Sequence, residues 1–136
     1  MSNAKTPSST ITLKGTGTLS VPTFTPPSSL NFGTVTHNTS SVQSLTLQNN
    51  NANIPGGTIK ITGITLSNND YMVSGTANGA TCGTLPIMLS SSPGSNFCTV
   101  SVTFTPSVTT TDNGSVTFTD NASPPTQKLG LYGRGQ

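Results

Sequence analysis

The sequence predicts an all-β sandwich, and three observations carry that expectation. The first is composition: 26 Thr, 19 Ser and 13 Asn stand beside 14 Gly and 10 Pro in 136 residues, with 5 Lys or Arg, 3 Asp and no Glu. Short polar residues compete with the helix for backbone hydrogen bonds, and Gly and Pro disfavour it directly, so a helical bundle is excluded. The second is punctuation. From residue 30 onward, runs of β-branched and aromatic residues are separated by Gly/Pro/Asn/Ser clusters, the spacing of strands and turns in a sandwich. The third is alternation: in Phe97–Thr105, Cys98, Val100, Val102 and Phe104 are apolar while Thr99, Ser101, Thr103 and Thr105 are polar. A period of two with one apolar face is the mark of a half-buried antiparallel strand.

Taken in order, Met1-Ser2-Asn3-Ala4 reads as an expression remnant and is set aside. Residues 5–18 read as the last strand of a preceding repeat. At a constant offset of 118 residues, Pro7, Ile11, Leu13, Gly15 and Gly17 match Pro125, Leu129, Leu131, Gly133 and Gly135. A fixed period of this kind is the signature of a tandem array. Residues 19–29 (LSVPTFTPPSS) hold three prolines and read as a semi-extended linker or an edge strand. Residues 30–136 form the domain, with strands expected at 30–36, 42–49, 57–66, 70–75, 85–90, 97–105, 114–120 and 127–133. In two of these the apolar parity changes at a glycine: Ile59 and Ile61 give way to Ile64 and Leu66 across Gly63, and Leu30 and Phe32 to Val35 across Gly33. A bulge or bend at each glycine keeps these side chains inward. Asp112-Asn113-Gly114 suits a tight primed turn.

Several of these strings together resemble the ASH/Hydin-type immunoglobulin-like domains, including the bacterial repeats called choice-of-anchor D domains. They are Ser29-Leu30-Asn31-Phe32-Gly33-Thr34-Val35, Leu45-Thr46-Leu47-Gln48-Asn49-Asn50, Ile61-Thr62-Gly63-Ile64-Thr65-Leu66 and Asp70-Tyr71-Met72-Val73. Cys98 to Pro106, Gly114 to Ala122 and Leu131 to Gly135 complete an ordered set over residues 29–135. The resemblance implies a sandwich of about seven strands in two antiparallel sheets, of the major sperm protein or PapD-like group. It carries no catalytic residue with it, and a fold alone assigns no function.

The candidate chemistry is sparse. Cys82 and Cys98, with His37 as the one histidine, do not make a zinc ligand set, and a disulfide is the expectation. It would close a loop whose constraint is worth about 3 kcal/mol in the chain-entropy model. His37 lies between two expected strands, without the nucleophile context a triad needs. Asp112 and Asp120 sit at opposite ends of one strand, about 23 Å apart at strand rise, so one calcium ion cannot bridge them. With Asp70 they read as turn residues. Catalytic residues, metal and cofactor are therefore expected to be none. Tyr71 and Tyr132 are the candidate stacking residues for a glycan.

Five scattered cations exclude a nucleic-acid groove, and no apolar run reaches membrane-spanning length. The paired cysteines and scarce charge favour an extracytoplasmic setting, secreted, periplasmic or at the cell surface. The expected role is a non-enzymatic structural spacer, with an adhesion module binding a glycan or protein as the alternative. Its partners would be neighbouring repeats of the same chain. Ile11 and Leu13 could also add as a strand to an exposed edge of this domain or of a second molecule, making a strand-addition dimer.

Overall fold

The computed structural model describes residues 8–15 and 17–136; the expression-remnant reading of residues 1–4 and the Pro7 match lie outside them. Nine strands follow one another: β1 (Thr23–Thr25), β2 (Ser29–Val35), β3 (Ser41–Gln48), β4 (Ile59–Leu66), β5 (Tyr71–Ser74), β6 (Ile87–Leu89), β7 (Phe97–Phe104), β8 (Gly114–Asp120) and β9 (Thr126–Gly135). One sheet has the order β1-β3-β7-β5 and the other β2-β9-β8-β4-β6. The all-β sandwich of two sheets expected from the sequence is the fold observed, and it differs from about seven strands in two antiparallel sheets in two details. Among the described residues there are nine strands, because short segments such as β1, just ahead of Pro26-Pro27, pair at the sheet edges before the chain crosses to the other sheet. One pair, β2 with β9, is parallel.

Alternation places the core. Leu45 and Leu47 of β3 and Val100, Val102 and Phe104 of β7 face Ile59 and Ile61 of β4, Val116 and Phe118 of β8, and Leu129 and Leu131 of β9, and all are sealed from solvent. Both glycines at the parity changes coincide with register shifts, Asn31/Gly33 in β2 and Ile61/Gly63 in β4. Gly33 adopts a φ of 65°, open to glycine at no steric cost. The expected tight turn at Asp112-Asn113-Gly114 is not formed. Strands β7 and β8 belong to different sheets, so their connection crosses the end of the sandwich, and Asp112 is buried there with its N–H donated to Gly133 O (2.9 Å).

Residues 19–25, at the start of the expected linker or edge strand, belong to the sandwich. Leu19, Val21 and Phe24 pack against the core, the Phe24 ring lies 5.2 Å from that of Phe118, and β1 pairs with the end of β3. The domain therefore includes residues ahead of Leu30. Upstream, residues 8–15 form no strand and pair with no edge of their own chain, leaving Ile11 and Leu13 at 80% and 89% exposure.

The strand directions define two poles. At the head pole, where the chain comes in, Ser123 N donates to Leu19 O and Ser20 N to Asn51 Oδ1. At the tail pole, where it leaves, Gln136 N donates to Val35 O (3.0 Å) and His37 N to Gln136 O (2.8 Å).

Candidate functional site

Three places concentrate groups capable of recognition or chemistry. The first is a shallow groove of about 450 Å³ along the seam between the sheets, where β6 covers only Ile59–Ile61 of β4. Its walls are Ile64 and Leu66 of β4, Met72 and Val73 of β5, and Leu85 and Ile87 on the returning chain. That returning chain is pinned by the disulfide between Cys82 and Cys98 (Cα–Cα 4.9 Å). Thr81 and Cys82 both donate their N–H to Thr99 O, and Gly83 N donates to Gly75 O (2.8 Å). A Cβ on Gly75 would overlap the Gly83 carbonyl, which explains the glycine. The hydroxyls in its lining are those of Ser74, Thr76 and Thr84, with no His, Asp or Glu beside them among the described residues, and the Tyr71 hydroxyl is used elsewhere.

The second place is the tail pole. Tyr71, a candidate stacking residue for a glycan and so expected at the surface, is instead buried, at 2% exposure. Its ring stacks on Phe104 (centroids 4.6 Å, 18°) and meets Phe32 edge-on, while its hydroxyl donates to Asp112 O at 2.7 Å. An aromatic with a polar tip goes inside wherever that tip finds an acceptor. Burial raises the Tyr71 phenol well above its ordinary value, so it stays protonated. Around it, Asn68 Nδ2 donates to Asp112 Oδ1 (2.6 Å) and Asn113 O (3.1 Å). Ser107 donates both its N–H and its hydroxyl to Asp70 Oδ2, each at 2.7 Å. The Ser107 hydroxyl, then its N–H, hold the Asp70 carboxyl below the usual carboxylate range. Asp112 is pushed the other way by burial and by the neighbouring Asp70 carboxyl, and its Oδ2 is buried with no hydrogen-bond partner among the described residues. His37 is exposed in a turn, with Nε2 3.0 Å from Ser107 O.

The third is the head pole, built on neutral amides. Asn49 Nδ2 donates to the carbonyls of Gly57, Leu89 and Ser90, and Asn49 Oδ1 accepts from both nitrogens of Asn51. Asn51 in turn holds Ser20 through both its backbone groups. Asp120 lies on the same side; burial raises its carboxyl, Oδ1 accepts the Ala122 N–H at 2.8 Å, and its Oδ2, like that of Asp112, is buried with no hydrogen-bond partner among the described residues.

Tyr132, the other candidate stacking residue, is 47% exposed on the outer face of β9, with its ring over Gly130. The structure therefore does not bring Tyr71 and Tyr132 together as a stacking platform. Among the described residues, no group of three or more His, Cys, Asp or Glu could hold a metal ion. Sequence reasoning missed the Asn49–Asn51 cluster and the Asp70–Asp112 approach. The first has no signal against 13 Asn, and the second depends on a crossing between sheets.

No protein-family model matches this chain, and no curated protein matches it either. Among solved structures, it is similar to the ASH/PapD-like domain 7 of human CEP192, with TM-score 0.58 and 18% identity over 95% of this chain and 94% of that one. It is also similar to part of two Vibrio cholerae proteins, the secreted serine protease VesC (TM-score 0.56, 15% identity) and the VesB protease (0.57, 15%). Each of those matches covers 85% of this chain, which spans 23% of VesC and 31% of VesB. At these identities the likeness is one of fold. The chain carries an ASH/PapD-like immunoglobulin-like fold.

Proposed function

We propose that the chain is a non-enzymatic unit of a tandem array, of the choice-of-anchor D kind, that spaces or presents neighbouring parts of a secreted or cell-surface protein. One observation carries this reading: the chain comes in at one pole and leaves at the other, and its first long strand, β2, and its last, β9, are parallel hydrogen-bonded neighbours. Tension on the two ends pulls β2 and β9 in opposite directions along their length. The ladder between them is then loaded all at once in shear instead of opening bond by bond. The disulfide supports an extracytoplasmic setting and keeps the Cys82–Cys98 loop out of any extension.

Single-molecule pulling tests this. Held at its two termini, the chain is expected to resist to a higher force than when held at Gln48 and Phe97, adjacent residues of β3 and β7 whose ladder would open from one end. Equal forces in the two geometries would sink the reading. A second reading, a binding module for a protein or glycan, is favoured by the apolar groove, where Met72 and Leu85 are 67% and 44% exposed. Glycan-array binding that is lost when the groove is altered by Met72→Ser would move the assignment from spacer to adhesion module.

A further inference from the structure

We infer that successive units of this array are joined with no free linker, the head pole of one unit seated directly on the tail pole of the unit before it. The inference rests on the tandem reading above and adds the geometry of the joint.

The structure first explains which positions repeat. In β9, Leu129 and Leu131 are fully buried. A Cβ on Gly133 would run into the Phe104 ring, and one on Gly135 into the Val108 carbonyl. These four positions, which the sandwich cannot vary, are the ones matched by Ile11, Leu13, Gly15 and Gly17. Residues 11–17 thus have the side-chain pattern needed to fill a β9 slot.

That slot cannot be the one in their own domain. Seated there, Gly17 would lie at the tail pole. Ser20 is held at the head pole by two hydrogen bonds to Asn51 (2.8 and 3.0 Å). The ten-residue β9 spans about 33 Å, whereas the three steps from residue 17 to residue 20 reach only about 10 Å. On the tandem reading the slot is that of the preceding unit.

The joint can then be counted residue by residue. Gln136, one step past Gly135, is still held by its own unit through Val35 and His37. At the same offset Thr18 occupies the Gln136 position of the preceding unit. The next residue, Leu19, already packs on the core of this unit, with its carbonyl accepting from Ser123. No residue is left between the last one held by one unit and the first held by the next. Each pole also presents an exposed aliphatic side chain, Ile54 (49%) at the head and Val108 (43%) at the tail, which such a joint would cover.

The test extends the full chain by a second copy of residues 19–136, so that Gln136 runs directly into Leu19. A companion carries a ten-residue Gly/Ser spacer at that point. In the direct fusion, 15N relaxation is expected to give both units one common rotational correlation time, more than double that of the single chain, and the spacer is expected to release them to tumble separately. If the units tumble separately in the direct fusion as well, the joint is flexible and the inference falls, while the tandem reading stands. If the appended unit melts below the single chain in the direct fusion and in the spacer variant alike, the 118-residue boundary itself is wrong, and both fall.

Discussion

The Asn49–Asn51 cluster at the head pole and the Asp70–Asp112 pair at the tail pole solve one problem with different chemistry. Where strands end and the chain crosses between sheets, backbone groups are left without ladder partners, and buried groups of that kind must be satisfied. At the head pole Asn49 and Asn51 do this with neutral amides, which donate and accept at once, and every bond of the cluster is indifferent to pH. At the tail pole Asp70 and Asp112 do it with carboxyl groups, which when ionised only accept. One carboxylate is well served by Ser107, and the other keeps a buried oxygen without a donor. An amide cluster can be complete by itself, whereas a pair of facing carboxylates needs a proton or another donor.

The largest effect should come from breaking the amide side. Asn49→Ala strips the amide donor from the buried Gly57 and Leu89 carbonyls and the part-buried Ser90 carbonyl, and the acceptor from both nitrogens of Asn51. A loss of about 5 kcal/mol is expected, from roughly 1 kcal/mol for each of the side chain's five bonds, and chemical denaturation should find it equal at acid and neutral pH. On the other pole, Tyr71→Phe leaves the ring stacked and removes only the bond to Asp112 O. It should cost about 1 kcal/mol, and an unchanged unfolding midpoint would show that the hydroxyl contributes nothing.

Smallest, and opposite in sign, is Asp112→Asn. It replaces the unpartnered Oδ2 with an amide nitrogen that can donate to the neighbouring Asp70 carboxyl, and at neutral pH it should raise stability by up to about 1 kcal/mol. The pH dependence distinguishes this from simple repacking. Because the folded value of Asp112 is raised, its contribution is complete below its unfolded-state value and is lost as pH rises through the folded one. Asp70 is lowered, so its contribution is present above its unfolded-state value and is lost as pH falls through the folded one. The advantage of Asp112→Asn should therefore be full at neutral pH and fade as pH falls through the raised value of Asp112. A constant difference between the two proteins from acid to neutral would contradict the account.

How far the residues announce this structure differs along the chain. β7, β8 and β9 are plain in the sequence because each sets bulky apolar side chains at every second position against Thr, Ser or Lys, and one face must then be buried. β1 is not plain: three residues between prolines carry too little pattern, and Phe24 is drawn inward by Phe118, 94 positions away. Tyr71 is misread for a related reason. Beside the exposed Met72 it has the look of a surface aromatic, and its place inside is decided by Phe104 and Asp112, both distant in the chain. The disulfide partners were the simplest to name, since the chain has only two cysteines. The polar clusters were the hardest, since Asn and Asp side chains take their meaning from whatever the fold brings opposite them.

The exposed outer positions of the strands have one more consequence. Thr and Ser hydroxyls cover them where Lys and Glu would ordinarily stand, and the whole chain carries a formal net charge of only +2. Dissolved salt acts on proteins largely by screening charge, and here it finds little to screen. A string of such units would neither stiffen by self-repulsion in fresh water nor slacken in brine, and its reach would be set by the covalent geometry of its joints.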